Sequence, residues 1–397
     1  MKRIMQSAFK LSVFPQLVFF IFARIVLMSS MRVVYPFLSV FAAGLGVSIG
    51  QVSLAVSVRS LIAAFSPLLA SFSDRHGRKA GMLLGLGMFT GGMLLVILLP
   101  GFVTFFLTLG MGMMGLLIFT SSMQAYLGDR VAYDQRALVI GLTEWSWSLS
   151  FAIGMPILAL ALAHGTWLSP FVALAVAGGA LSLLTLKIIP RTLPTSKSGD
   201  NGLDSLRLVL TTAPALAGLV MGACLSAANE TISLMFGVWL QDSFGLQIAA
   251  LGAASAVIGV AEFSGETLTA SIVDRLGKPL AVRLGLGLNI LSVFLLPIIG
   301  GNVFGALAGL FLFYLSFEFT VISMMTMMTE VMPAARATLM AACLAALALG
   351  RAISDVISPW LYQWSFLGNV LLAIILDGLA LLLIGRIRVV ETSPAAE

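Results

Sequence analysis

Ionisable side chains sit inside runs of otherwise apolar sequence, and their spacing limits the chemistry they could do. Arg32 is followed by Tyr35 and Pro36, and an i,i+3 spacing puts Arg32 and Tyr35 on one face if the run is helical. Arg59 and Glu230 lie in other apolar runs. At a helical rise of about 1.5 Å per residue, Arg32, Arg59 and Glu230 fall at one level, roughly 13 Å from the nearer end of their runs. Glu262 and Glu266 are i,i+4 neighbours. Two carboxylates on one apolar face repel, so one of them is expected to hold a proton at neutral pH. Glu318 adds a further acid, and Arg351 with Asp355 has the spacing of an ion pair within one helix. Arg24 either snorkels to an interface or faces inward. Glu144 is expected to cap a helix or pair with Arg136, and Asp377 has no assigned role.

The elements that must position these groups follow from composition. Hydrophobic residues make up 59% of the 397 and charged residues 10%, against about 25% charged in a typical soluble domain. Such a chain must face lipid. A helix needs about 20 apolar residues to span the hydrocarbon core, and the apolar runs are continuous rather than alternating, so helices are expected. Twelve spans are read at residues 17–41, 50–72, 80–99, 103–127, 138–161, 167–187, 213–238, 248–271, 280–299, 303–327, 338–361 and 366–385. Each ion near the bilayer centre costs about 2.5–3.5 kcal/mol, so the embedded charges are expected to face partners or a wet cavity.

Of the 22 Lys and Arg, 18 fall in the termini and even-numbered turns and none in the odd-numbered turns. This asymmetry predicts a multi-pass protein of the cytoplasmic membrane with both termini in the cytoplasm. The basic N-terminus leads into an apolar run too long for a signal-peptide core, which is expected to be retained as the first span. The net charge of +5 reflects these loops and does not point to nucleic acid. Cys224 and Cys343 lie in apolar runs and are read as packing residues. Residues 190–207, rich in Pro, Ser and Gly, read as a cytoplasmic linker between halves at 1–189 and 208–397. The halves echo one another. Asp74-Arg75-His76-Gly77-Arg78-Lys79 follows the second run, and Asp274-Arg275-Leu276-Gly277-Lys278 follows the eighth. Asp129 and Arg136 follow the fourth, as Glu330 and Arg336 follow the tenth.

The segment from Ala70 to Lys79 resembles the signature between spans two and three of the major facilitator superfamily, with Ala70 in place of its first glycine. Arg32, Tyr35 and Pro36 are similar to the drug:proton antiporter branch, whose fifth-span motif is matched by Gly154-Met155-Pro156 with Met155 inserted between the Gly and the Pro. The resemblance implies an all-α membrane protein with twelve transmembrane helices in two pseudo-symmetric six-helix bundles. It implies a cytoplasmic gate at Asp74, Arg75, Gly77, Arg78, Lys79, Asp129, Arg136, Asp274 and Arg275. It also implies a cavity lined by spans 1, 4, 7 and 10.

The resulting expectation is secondary active transport of a small organic solute, with Arg32, Tyr35, Arg59, Glu230 and Glu318 at the cavity. Glu262, Glu266, Glu230 and Asp355 are the expected proton-coupling acids. Asn and Gln are few in the spans, which disfavours sugars and favours a lipophilic or amphiphilic solute with an anionic or zwitterionic head. No phosphate-binding G-x-x-x-x-G-K-[ST] loop is present, so a proton gradient is the expected driving force and no cofactor or metal is expected. His76 and His164 are the only histidines, and no nucleophile–base spacing suggests an enzyme. Membrane lipids and protons are the expected partners of a monomer. A passive uniporter, a lipid flippase and a non-transporting receptor or scaffold are the alternatives.

Overall fold

The structure, a computed structural model, describes residues 14–65, 77–190 and 202–387. Every regular element among them is a helix, as lipid demands of a backbone that must satisfy its own polar groups. Helices α1 (Phe14–Arg32), α2 (Leu38–Leu45), α3 (Ile49–Ala64), α4 (Arg78–Leu98) and α5 (Phe102–Arg130) come first. Then α6 (Tyr133–Glu144) runs through a short turn, Ser146–Leu149, and a π-helical stretch, Ser150–Gly154, into α7 (Met155–Ala163). Helices α8 (Ser169–Ile188), α9 (Gly202–Thr211), α10 (Ala213–Ser233), α11 (Phe236–Phe244) and α12 (Ile248–Leu276) follow. The last four are α13 (Lys278–Ile299), α14 (Val303–Val331), α15 (Arg336–Trp364) and α16 (Phe366–Leu383). Eleven of the described segments are long and apolar enough to cross a membrane, or twelve if α2 and α3, bent by 112°, make one more.

Two expected spans are broken. The first does not run unbroken over 17–41: α1 stops at Arg32, and turns carry the chain to Leu38. Pro36 explains the break, because its ring clashes with the Arg32 carbonyl and pushes Tyr35 out of helical conformation. Tyr35 therefore does not share a helical face with Arg32. The seventh breaks at Leu234 and Met235 and then continues as α11 to Phe244. Helix α9 begins inside the stretch read as linker.

The described residues form two compact units. The first falls within Met1–Ser48, Phe65–Lys197 and Gln247–Gly259, and the second within Ile49–Ala64, Ser198–Leu246 and Val260–Glu397. Each unit thus takes in a helical segment from the opposite half of the sequence. In lipid, helix association rests on close packing and interhelical hydrogen bonds rather than on hydrophobic burial. In the first unit α4 and α5 meet at Gly85 and Gly115, where a methyl group on either would stand 2.5–2.7 Å from the other's carbonyl oxygen. Phe41, Phe105 and Phe171 pack with ring centroids 5.6–6.0 Å apart. In the second unit Met221, Met324, Met327, Met328 and Met332 fill a core with Leu339, Leu347 and Cys343.

Candidate functional site: buried charges at helix breaks

Arg32 is the last residue of α1 and is 4% exposed. Its Nη1 donates to the Trp147 carbonyl at 2.8 Å and to Ser150 Oγ at 3.3 Å. The guanidinium lies 4.1 Å from the Trp147 ring centroid and 3.7 Å from that of Phe151. The local sequence explains the cradle. Pro156 cannot donate into the helix before it, and the π-helical turn just ahead of it disturbs the usual carbonyl pattern. That disturbance offers the Trp147 carbonyl to Arg32. Gly154 lets α1 approach, since a methyl group there would run into the Ser29 side chain. The aromatic pair was not singled out from sequence, although Trp145-Ser-Trp-Ser-Leu-Ser150 is conspicuously polar and aromatic for an apolar run.

Arg24, two turns earlier on α1, is 2% exposed and does not snorkel. It bridges both Glu144 carboxylate oxygens at 2.8 and 2.9 Å and reaches the Thr143 carbonyl at 2.8 Å. Glu144 is therefore the partner of Arg24, not of Arg136, whose Nε donates instead to the Val131 carbonyl at 3.1 Å. Paired forks of this kind are among the stronger charge-assisted bonds.

The second unit holds a separate buried group. Asp355 of α15, at 0% exposure, accepts from Ser60 Oγ of α3 at 2.9 Å. Glu230 of α10 is within hydrogen-bond reach of it, and Arg59 of α3 is its nearby cation. The expected Arg351–Asp355 pair is not what forms: Asp355 turns to α3 and α10, and Arg351 is half-buried on the preceding turn. An i,i+4 spacing allows such a pair, but α3 brings a serine and an arginine that sequence spacing alone could not place there.

On α12, Glu262 is buried and Glu266 half-buried. Gly265 between them packs against Cβ of Glu318, itself 6% exposed. These three acids come from two helices of the second unit. Tyr35 is buried in the turn after α1. Asp377 is fully buried, with neither carboxylate oxygen hydrogen-bonded.

Of the expected gate residues, Asp74 and Arg75 lie outside the described residues, as does His76. Arg78 Nε meets Asp129 Oδ2 at 3.1 Å, and Lys79 Nζ donates to the Leu186 carbonyl at 2.7 Å. Their counterparts also meet: Lys278 pairs with Glu330, and Arg336 Nε donates to the Thr329 carbonyl at 2.9 Å. Asp274 and Arg275 are exposed.

The sequence profile of the Major Facilitator Superfamily matches residues 20–355. Two curated relatives, both from Bacillus subtilis (strain 168), are described as uncharacterized MFS-type transporters. YwfA is 26% identical over 303 residues, 75% of this chain and 73% of its own. YceJ is 26% identical over 302 residues, 76% of this chain and 77% of its own. Among solved structures, a bacterial homolog of the human lysosomal transporter Spinster, inward-facing and unoccupied, superposes with a TM-score of 0.78. It is 13% identical and covers 96% of this chain and 98% of its own, which establishes the shared fold.

Proposed function

Since the chain belongs to the Major Facilitator Superfamily, and is thus a multi-pass membrane transporter, we propose that it carries a small amphiphilic organic anion or zwitterion by proton-coupled efflux across the cytoplasmic membrane. The observation that carries this reading is Arg32, a buried cation held between two aromatic rings. The rings and the Trp147 carbonyl fix the direction of the guanidinium, so an anionic head would meet a pre-aimed cation. A lipophilic body has a matching surface in the second unit. There α14 and α15 frame a groove of about 250 Å³ lined by Val321, Ile322, Met325, Thr326, Thr329 and Met340. Methionine side chains reshape easily and suit varied apolar partners. Proton coupling needs a group whose proton affinity differs between two states of the carrier, and the acids Glu230, Asp355, Glu262 and Glu266 are the candidates.

The test uses purified protein in liposomes and radiolabelled taurocholate, an amphiphile whose sulfonate stays charged at every working pH. An acidic interior should drive taurocholate inward against its gradient, as an antiporter of protons requires. Flux that ignores a pH gradient of either sign would make the protein a passive uniporter. Flux equal to that of protein-free liposomes would overturn the substrate class.

A further inference from the structure

Charge bookkeeping in the second unit leaves one negative charge too many. Arg59, Glu230 and Asp355 are exposed by 2%, 2% and 0%. Two carboxylates stand with one guanidinium, and a net charge in a site this dry is costly unless a proton removes it. Hydrogen bonding tells the same story. Asp355 Oδ2 has Ser60, yet Asp355 Oδ1 and Glu230 Oε1 are both buried without a donor, although the two carboxyl groups are within reach of each other. Two carboxylate oxygens have no hydrogen to share. A single proton on either acid would supply the missing donor and cancel the excess charge together.

We propose that Glu230 and Asp355 form a proton-binding site that holds one exchangeable proton, and that this proton governs the docking of α3 on α10 and α15. This rests on the reading of the protein as a proton-coupled carrier. The packing around the site shows which part is free to respond. Helices α10 and α15 are locked together: Ser354 donates to the Ala227 carbonyl at 2.8 Å, its hydroxyl meets Thr231 Oγ1 at 3.0 Å, and Gly350 lies against the Ala223 backbone. Asn369 of α16 ties the Thr231 and Ser358 carbonyls at 3.2 and 3.0 Å. Helix α3 joins this block through Ser57, which donates to the Ala352 carbonyl at 2.7 Å, and through Ser60 and Arg59 at the acids. With the proton bound, the site is neutral and α3 stays docked. With the proton lost, the buried excess charge favours admission of water and release of α3.

The other titratable groups on the packed elements lie apart from the pair. Arg351 and Cys343 are earlier on α15, Arg207 of α9 is exposed, and Tyr362 at the far end of α15 donates to Asp242 of α11 at 3.0 Å. Cys224 of α10 neighbours Asp377 of α16, while on α14 Tyr314 donates to Ser233 and Glu318 lies against Gly265.

The experiment pairs two readouts on the full chain in lipid, neither of which needs a transported solute. Infrared pH-difference spectra should show a protonated carboxyl band at neutral pH that disappears in Glu230→Gln and in Asp355→Asn but survives in Asp377→Asn. Spin labels at the exposed positions Leu61 of α3 and Ile353 of α15 should report a second, longer distance whose share grows with pH. Glu230→Gln should hold the short distance at every pH. Distances that ignore pH in the wild type, or that titrate unchanged in Glu230→Gln, would overturn the proposal. So would a carboxyl band that only Asp377→Asn removes. With taurocholate, Glu230→Gln should lose the accumulation driven by one pH unit, about tenfold for one proton per solute, while solute exchange without a gradient continues. Gradient-driven accumulation persisting in both variants sinks the proton site but not the carrier. A distance that titrates in a wild type showing no driven flux keeps the proton site and sinks the carrier reading.

Discussion

Gly77 and Gly277 adopt the same left-handed backbone, φ 89° and 81°, 200 positions apart. Each stands immediately before a helix, α4 or α13, whose first residue is a cation paired with an acid near the end of the next helix. Arg78 meets Asp129 in one case and Lys278 meets Glu330 in the other. The positive φ turns the chain sharply enough to aim that cation. A Cβ in this region costs roughly 1–2 kcal/mol. Gly77→Ala and Gly277→Ala should each lower the melting temperature of the purified protein, with Asn tolerated better than Ala at both. Unchanged melting in both Ala variants would remove the conformational argument.

The two ion pairs should matter little to stability. Asp129 keeps 54% of its side chain exposed and Glu330 36%, and exposed pairs contribute about 0–1 kcal/mol. Asp129→Asn and Glu330→Gln should therefore shift melting only slightly, and added salt should erase the difference. A loss of folded protein in either variant would show that the pair holds more of the cytoplasmic end together than its exposure implies.

Much of this organisation was legible in the sequence because it depends on composition and spacing alone. Continuous apolar runs predicted the helices, and the echo of residues 74–79 at 274–278 showed where matched turns would fall. What spacing could not show was which helix faces which. The partner of Glu144 is Arg24, 120 residues away, and Asp355 binds Ser60, 295 residues away, in preference to Arg351 on its own helix. A helical repeat ranks neighbours within one helix and says nothing of the next one. The break after Arg32 was within reach, since Pro36 stands in plain view. Reading the whole apolar run as one span hid it, because hydropathy does not sense a missing backbone donor.

Gly350 supplies a sharper test of the α10–α15 contact. A methyl group there would press on the Ala223 backbone, with its Cα at 3.1 Å and its carbonyl oxygen nearer still. Backbone cannot rotate away as a side chain can, so Gly350→Ala should cost about 1–3 kcal/mol and reduce the yield of folded protein. Gly222 offers a control on the same helix pair. There a methyl group would only touch the flexible ends of Met324, at 3.4 Å, and of Leu347. If Gly222→Ala proves the more damaging of the two, the helices are not locked where the structure places them.

Asp377 makes the opposite prediction. Its carboxyl group is fully buried and neither oxygen finds a donor, so it carries a desolvation cost of about 1–3 kcal/mol with no bond to offset it. Removing the polar group should relieve that cost. Asp377→Val is expected to melt at or above the wild-type temperature. A clear fall in melting temperature would reveal a stabilising partner or water at this position and give Asp377 a role.

The last prediction concerns Arg32, where shape and charge are separable. Its guanidinium is sandwiched flat between Trp147 and Phe151, and Nη1 satisfies the Trp147 carbonyl at 2.8 Å. A lysine keeps the charge but is a point donor on a flexible stem, without the planar face that stacks or the fork that aims. A desolvated cation–π contact contributes about 2 kcal/mol, so Arg32→Lys should weaken taurocholate binding about tenfold or more while folding survives. Arg32→Ala should do worse on both counts. It removes the charge, and it strands the buried Trp147 carbonyl at a further cost of about 1–3 kcal/mol. Trp147→Leu should reproduce the binding defect of Arg32→Lys, because it withdraws one ring of the sandwich and leaves the arginine in place. Binding is read by isothermal titration and stability by melting on the same preparations. Wild-type affinity in Arg32→Lys would mean that bare positive charge suffices, and the aromatic cradle would then be packing around Arg32 rather than a means of aiming it at an anionic head.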